Sequence, residues 1–303
     1  MVRTPGQDTP RAALGNGGFS LVELVVVIVI TGIIASVVGL FITGPIQGFL
    51  DQSRRAELVD AAQLALLRMG RDLRGALPNS VRVSGGNAVE LLLTRDGDRY
   101  RVEPPGTVDD RLEFSAADTG FNTFAPLSPP DPVPAIGTPY RVTGSLAIYP
   151  LQQTGADPYV AGDGVMTASG DIDITPVINP GGSGRVEYQV SLTSAGAAAP
   201  GAQRFPFDSP TRRVFLVDGP VTYLCSPPQL LRYDGYGVTA GQAVPPAGTA
   251  TVIIGNVQAC AFQYDPGTSQ RNAIVSVALA LADPAVPDER VRLIRQIHVG
   301  NAP

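Results

Sequence analysis

The sequence predicts an α+β protein: one long N-terminal helix, its first half fit to cross a membrane, followed by an antiparallel β-sheet domain. Three observations carry this. Residues from Phe19 to Phe49 are apolar or small apart from a single charge. Beyond Asp51, apolar residues recur at three- and four-residue spacing, the period of a helix with one buried face. After Pro78 the pattern changes to short alternating segments separated by Gly, Pro and Asp, the signature of strands and turns.

Between Arg11 and Asp51 the only charged residue is Glu23. A helix needs ~20 apolar residues to cross a hydrocarbon core of ~30 Å, and this run exceeds that. In lipid the backbone must satisfy its own hydrogen bonds, so the β-branched residues here do not argue for a strand. Gly32, Gly39, Gly44 and Pro45 lie within the run; a kink is expected near Gly44-Pro45, or a break with a second helix from Gln47. Glu23 is the anomaly, because a carboxylate in a membrane segment costs at least ~2.5 kcal/mol and marks a functional site with a partner charge. A signal peptide would carry its small-residue cleavage site after the apolar run, where Ile34-Ala35-Ser36 offers only a poor one. The small pair Gly17-Gly18 instead precedes it.

Gly18-Phe19-Ser20-Leu21-Val22-Glu23-Leu24 resembles the class III leader motif of type IV pilins and of the pseudopilins of type II secretion. The resemblance implies a pilin-like fold and cleavage between Gly18 and Phe19 by a prepilin peptidase. It further implies N-methylation of Phe19 and an assembly role for Glu23, whose carboxylate pairs with the terminal amine of a neighbouring subunit. The expected organisation is a leader over residues 1–18, a transmembrane helix over 19–49, its amphipathic continuation over 50–77 and a periplasmic β-rich head over 78–303. An uncleaved signal anchor with an incidental Glu23 is the plainer alternative.

In the continuation, Leu58, Ala61, Ala62, Ala65, Leu66, Met69 and Leu73 form the apolar stripe, expected to pack on the protein's own sheet. Arg54, Arg55, Asp60, Gln63, Arg68, Arg71 and Arg74 populate other faces, and Leu64 and Leu67 lie off the stripe, where a neighbouring subunit would meet them. Strands are expected at 81–83, 89–94, 100–102, 141–149, 171–175, 185–193, 214–217, 221–225, 230–233, 249–264, 274–281 and 291–299. Asp96-Gly97-Asp98 and Asp218-Gly219-Pro220 read as hairpin turns; a calcium loop is the alternative for the first, although it lacks further spaced carboxylates. Residues 103–139 and 194–210 read as loops, and Gly181-Gly182-Ser183-Gly184 as a turn. Arg68 to Arg74, with the strands after it, resembles PilW-type minor pilins and the J-type pseudopilin. The segments around Cys225, Tyr233, Cys260 and His298 resemble MshO-like minor pilins of the mannose-sensitive haemagglutinin pilus.

Composition narrows the function. The chain of 303 residues has a formal charge of −5, which argues against nucleic acid as a main partner. It contains no lysine, which excludes a phosphate-loop lysine, a Schiff base and a Ser-x-x-Lys nucleophile. The single histidine, His298, excludes a His-Glu-x-x-His zinc site, and no cofactor is expected. In an exported domain, Cys225 and Cys260 fit one disulfide, with two buried thiols as the alternative. The expectation is therefore a non-enzymatic subunit of a type IV pilus whose partners are other pilins, the prepilin peptidase and inner-membrane lipid, and which passes from the inner membrane to the filament. A J-type pseudopilin, a pilus-borne adhesin using loops 103–140 and 150–210, and an anchored enzyme with His298 as base are the competing readings.

Overall fold

The computed structural model describes residues 18, 20–102, 111–179, 184–193, 199–267 and 271–301. Phe19, the leader up to Gly17 and most of the expected 181–184 turn lie outside them. The chain divides into two compact units, Met1–Arg54 and Arg55–Pro303.

Helix α1 (Leu21–Arg74) is continuous through Pro45, so no second helix starts at Gln47. It ends at Arg74 rather than at Pro78: the Gly75 N–H closes the last turn on the Arg71 carbonyl, and Thr94 then bonds the Gly75 carbonyl. In the second unit the helical stripe packs on antiparallel sheet. Leu58, Ala62, Ala65, Leu66, Met69 and Leu73 are all buried, whereas Ala61 is exposed. Each full burial of a Leu or Met side chain is worth ~1.5–3 kcal/mol, so the stripe alone accounts for much of the helix's attachment.

Among the described residues, twelve strands form two sheets. The larger contains β1 (Arg82–Ser84), β2 (Ala88–Arg99), β3 (Gly120–Thr123), β4 (Tyr140–Ala147), β5 (Gly170–Ile178), β6 (Val186–Ser191), β7 (Arg213–Ser226), β8 (Gln229–Asp234) and β9 (Thr249–Ile254). The smaller is β10 (Val257–Asp265), β11 (Ala273–Asp283) and β12 (Val286–Val299), in that order. Every pairing is antiparallel.

Strand β7 organises the larger sheet. One edge pairs with β2 along nearly its whole length. The other pairs with β4 at Phe215–Val217 and with β8 at Thr222–Ser226. The sheet forks between them, at Asp218-Gly219-Pro220, which the sequence suggested was a hairpin turn. There Asp218 is an extra bulged residue, Gly219 has φ 141°, open only to glycine, and Pro220 brings no N–H for the ladder. The same correction applies to Asp96-Gly97-Asp98, which runs straight on as β2, with Arg95 bulged out of the pairing. Gly97 is needed for close approach, since a Cβ there would lie 3.0 Å from the Phe215 ring. The expected strand over 249–264 breaks into β9 and β10 at Gly255-Asn256, where Asn256 has φ 59° and the chain passes from one sheet to the other.

Among the described residues the buried apolar side chains form two large cores and a smaller cluster of Leu77, Leu92, Ala147, Tyr159 and Val217. In the first, the α1 stripe meets Val89 and Leu91 of β2, Tyr223 of β7, Val275 and Val277 of β11, and Ile297 and Val299 of β12. The Tyr223 hydroxyl donates to Asp72 at 2.8 Å, and Arg232 donates to the same oxygen at 3.0 Å, tying helix to sheet. Burial, with the facing Asp72 carboxylate, raises the Tyr223 phenol above its ordinary pKa. The second core has no helix. Tyr100, Phe121, Leu146, Ile172, Ile174, Val190, Phe205 and Leu216 fill it, drawn from β3 to β7 and from segments expected to be surface loop. Phe205 and Leu112 show why the loop assignment of 103–139 and 194–210 was incomplete: isolated apolar residues in Pro- and Gly-rich chain are core residues here. Arg101 and Glu187, both buried, form an ion pair in which Glu187 also accepts from Asn122 and Asn179. Burial alone would raise the Glu187 carboxyl, but these donors together hold it below the usual range.

Candidate assembly segment and head disulfide

Gly18 is exposed and non-helical, and Ser20 is the residue before the helix. The Glu23 N–H donates to Ser20 Oγ at 3.2 Å, and the Leu24 N–H to the Ser20 carbonyl at 3.1 Å. Ser20 is thus the N-cap, and Glu23 stands at the third helical position. Ser-x-x-Glu is the capping-box pattern, which satisfies amides that the first helical turn leaves unpaired. Glu23 therefore lies where a negative charge is favoured by the helix dipole. That local role was visible in the spacing of Ser20 and Glu23 but was overlooked beside the membrane cost of the charge. Among the described residues the Glu23 carboxylate has no ion-pair partner.

Downstream, Leu21–Gly39 has mean hydropathy 2.9, and none of it is buried. At ~1.5 Å per residue its 19 residues reach ~28 Å, enough for a hydrocarbon core. Its hydroxyls are already satisfied: Thr31 donates to the Val27 carbonyl at 2.6 Å and Ser36 to that of Gly32 at 2.7 Å. Such back-bonding removes the polar cost these side chains would carry in lipid.

Cys225 is the penultimate residue of β7 and Cys260 lies in β10; they are joined as a disulfide with Cα atoms 5.8 Å apart. The bond links the two sheets. It is flanked by backbone bonds from Val257 to Pro228 and from Phe262 to Gly86, which join the same sheets. His298 is exposed on β12, opposite Ile274. Among the described residues no group of three or more His, Cys, Asp or Glu could hold a metal ion, Asp96 and Asp98 included. Those two carboxylates instead accept backbone N–H groups, Asp96 from Ser128 at 2.6 Å and Asp98 from Ala125 at 2.5 Å.

Residues 15–39 match the family described as the prokaryotic N-terminal methylation motif. No curated protein and no solved structure matches the chain. A long, apolar N-terminal helix packed on antiparallel sheet is the pilin-like arrangement. With the methylation motif at its head, that arrangement supports a prepilin- or pseudopilin-like structural role.

Proposed function

We propose that the chain is a minor pilin of a type IV pilus, cleaved after Gly18, methylated on Phe19 and built into or beneath the filament through its N-terminal helix. The observation that carries this is a coincidence of register. The methylation motif covers 15–39, the exposed Gly18 falls inside it, and the helix cap follows at Ser20. Cleavage after Gly18 leaves Phe19 and Ser20 ahead of the first helical residue, so the new terminus keeps its cap. Gly18 itself is exposed and non-helical, so cleavage there need not unwind the helix.

Glu23 then serves assembly. In lipid its carboxylate is costly alone, and the methylated terminal amine of a neighbouring subunit's Phe19 is an equally costly cation; pairing them offsets both. The head belongs on the periplasmic side, where a disulfide such as Cys225–Cys260 persists. The finer reading is an MshO-like subunit of the mannose-sensitive haemagglutinin type, supported by the resemblance of the segments around Cys225, Cys260 and His298.

Mass spectrometry of the protein purified from its native membrane is the direct test. The expected mature chain begins at monomethylated Phe19. A chain beginning at Met1, or one beginning beyond Ala35, overturns the reading.

A further inference from the structure

We propose that the end of the β2–β7 pair carries a binding site for a carboxylate borne on a six-membered ring, held by Arg99 and Arg213 above Phe215. Nothing in the assembly role calls for such a site. Arg99 and Arg213 are direct cross-strand partners on β2 and β7, and both are exposed on the same face. Like charges directly opposite each other in a sheet are destabilising. Among the described residues neither side chain has an ion-pair partner to relieve the repulsion. By contrast the third arginine of this face, Arg95, is paired with Asp218. Asp96 and Asp98 also line the cleft, but their carboxylates accept backbone N–H groups, from Ser128 and Ala125.

The next cross-strand pair is Gly97 opposite Phe215. With no side chain at Gly97, the half-buried Phe215 ring lies against bare backbone and floors an open cleft of about 500 Å³ walled by Arg95, Arg99 and Arg213. An aromatic covering a strand glycine is one way to pin register, and that role needs no charge around it. Two unneutralised guanidiniums beside the ring are what the packing does not explain. Guanidinium is planar and matches a carboxylate through paired N–H donors. An aromatic floor accepts the flat face of a ring. Together they select an acid carried on a ring, either an acidic pyranose or an aromatic acid.

The test uses the full chain in a non-ionic detergent and isothermal titration with four probes: glucuronate, benzoate, glucose and acetate. One of the two ring acids is expected to bind saturably, about tenfold or more tighter than either glucose or acetate. Tighter glucuronate identifies the saccharide acid, tighter benzoate the aromatic one. Arg99→Gln and Arg213→Gln should each weaken that binding about tenfold. In the unliganded protein, either substitution should raise the melting temperature, because it relieves the like-charge pair. Three results would overturn the proposal: acetate binding as tightly as both ring acids, glucose doing so, or ring-acid binding that survives in the Arg99→Gln, Arg213→Gln double variant. Gly97→Ala is unsuited to the purpose, since its Cβ would press on Phe215 and disturb the fold.

Discussion

The two halves of α1 are one helix made for two solvents. From Leu21 to Leu50 the large apolar side chains described are exposed on every face, Leu21 at 78% and Phe49 at 71%. From Leu58 to Leu73 the apolar side chains other than Leu64 and Leu67 are largely sorted, one face buried and the others carrying arginines and acids. Helical propensity does not separate the halves; Val and Ile are poorer helix formers than Ala and Leu, yet they dominate the first. The difference lies in where the hydrophobic partner is found. The second half has one in its own chain, the β2–β7 and β11–β12 surfaces. The first half has none among the described residues of its unit, and its Leu21–Gly39 stretch is long and apolar enough to cross a membrane. An unsorted apolar helix is what that environment requires.

The comparison makes Glu23 the sharpest point to break. In the assembly reading, Glu23→Ala leaves a neighbour's terminal amine unpaired in lipid, a loss of ~3–5 kcal/mol for a broken buried pair. The variant should be cleaved and inserted normally yet fail to co-purify with partner pilins or to support piliation. Wild-type levels of both would mean that the Glu23 carboxylate has no assembly role. The cap bond itself is kept in that variant, because its donor is the backbone N–H of residue 23.

Next in size is Met69, which is fully buried in the helix-backed core. Met69→Ala should cost ~2–5 kcal/mol, read as a fall in the thermal or urea midpoint of the head. Val29→Ala, on the exposed half, should leave that midpoint unchanged. Equal effects of the two would show that the halves do not have separate partners.

Much of this division was legible in the residues. The apolar run, the stripe and most strands follow from periodicity, because a helix or strand with one buried face writes its period into the chain. What was misread shares one physical cause. An Asp-Gly pair satisfies the requirements of a tight turn, yet it also fits a continuing strand, bulged at Asp218-Gly219 and in register at Asp96-Gly97. Which of the two forms is decided by register against a distant strand; for Gly97 that is Phe215, far along the chain. The second core was hidden for a similar reason. Its Arg101–Glu187 pair spans 86 positions, and Leu112 and Phe205 stand as lone apolar residues among Pro, Gly and Asp. No local period marks a core assembled from single residues. At the head of α1, the capping by Ser20 needed only the spacing rule.

Asp72 tests how the second half is attached by polar contacts as well as apolar ones. It accepts from Tyr223 and Arg232 at the helix–sheet boundary. Asp72→Asn removes the charge facing Arg232 and should cost ~1–3 kcal/mol in head stability. Arg232 retains its contact with Asp234, so part of its charge stays compensated. An unchanged midpoint would assign the attachment to the apolar stripe alone.

The smallest effect on the isolated chain is expected at Leu64 and Leu67, which belong by position to the second half but by exposure to the first. They are 68% and 48% exposed, and they line an open groove with Arg68, Arg71 and Arg74 of α1 and Ile253 and Ile254 of β9. Among the described residues strand β9 pairs only with β8, so its other edge borders the groove without a strand partner there. Leucines this exposed contribute little to the subunit's own stability. The Leu64→Ala, Leu67→Ala double variant should therefore shift the head midpoint by no more than about 0.5 kcal/mol, a change further limited because alanine is the better helix former. If these side chains meet a neighbouring subunit, the same variant should reduce co-purification with partner pilins while its melting curve stays that of the wild type. A midpoint falling as far as that of Met69→Ala would place both leucines inside the head's own core and remove the second half of α1 from the assembly surface. Unaltered melting with unaltered assembly would confine the inter-subunit contact to the membrane half, leaving Glu23 and the apolar run to carry it alone.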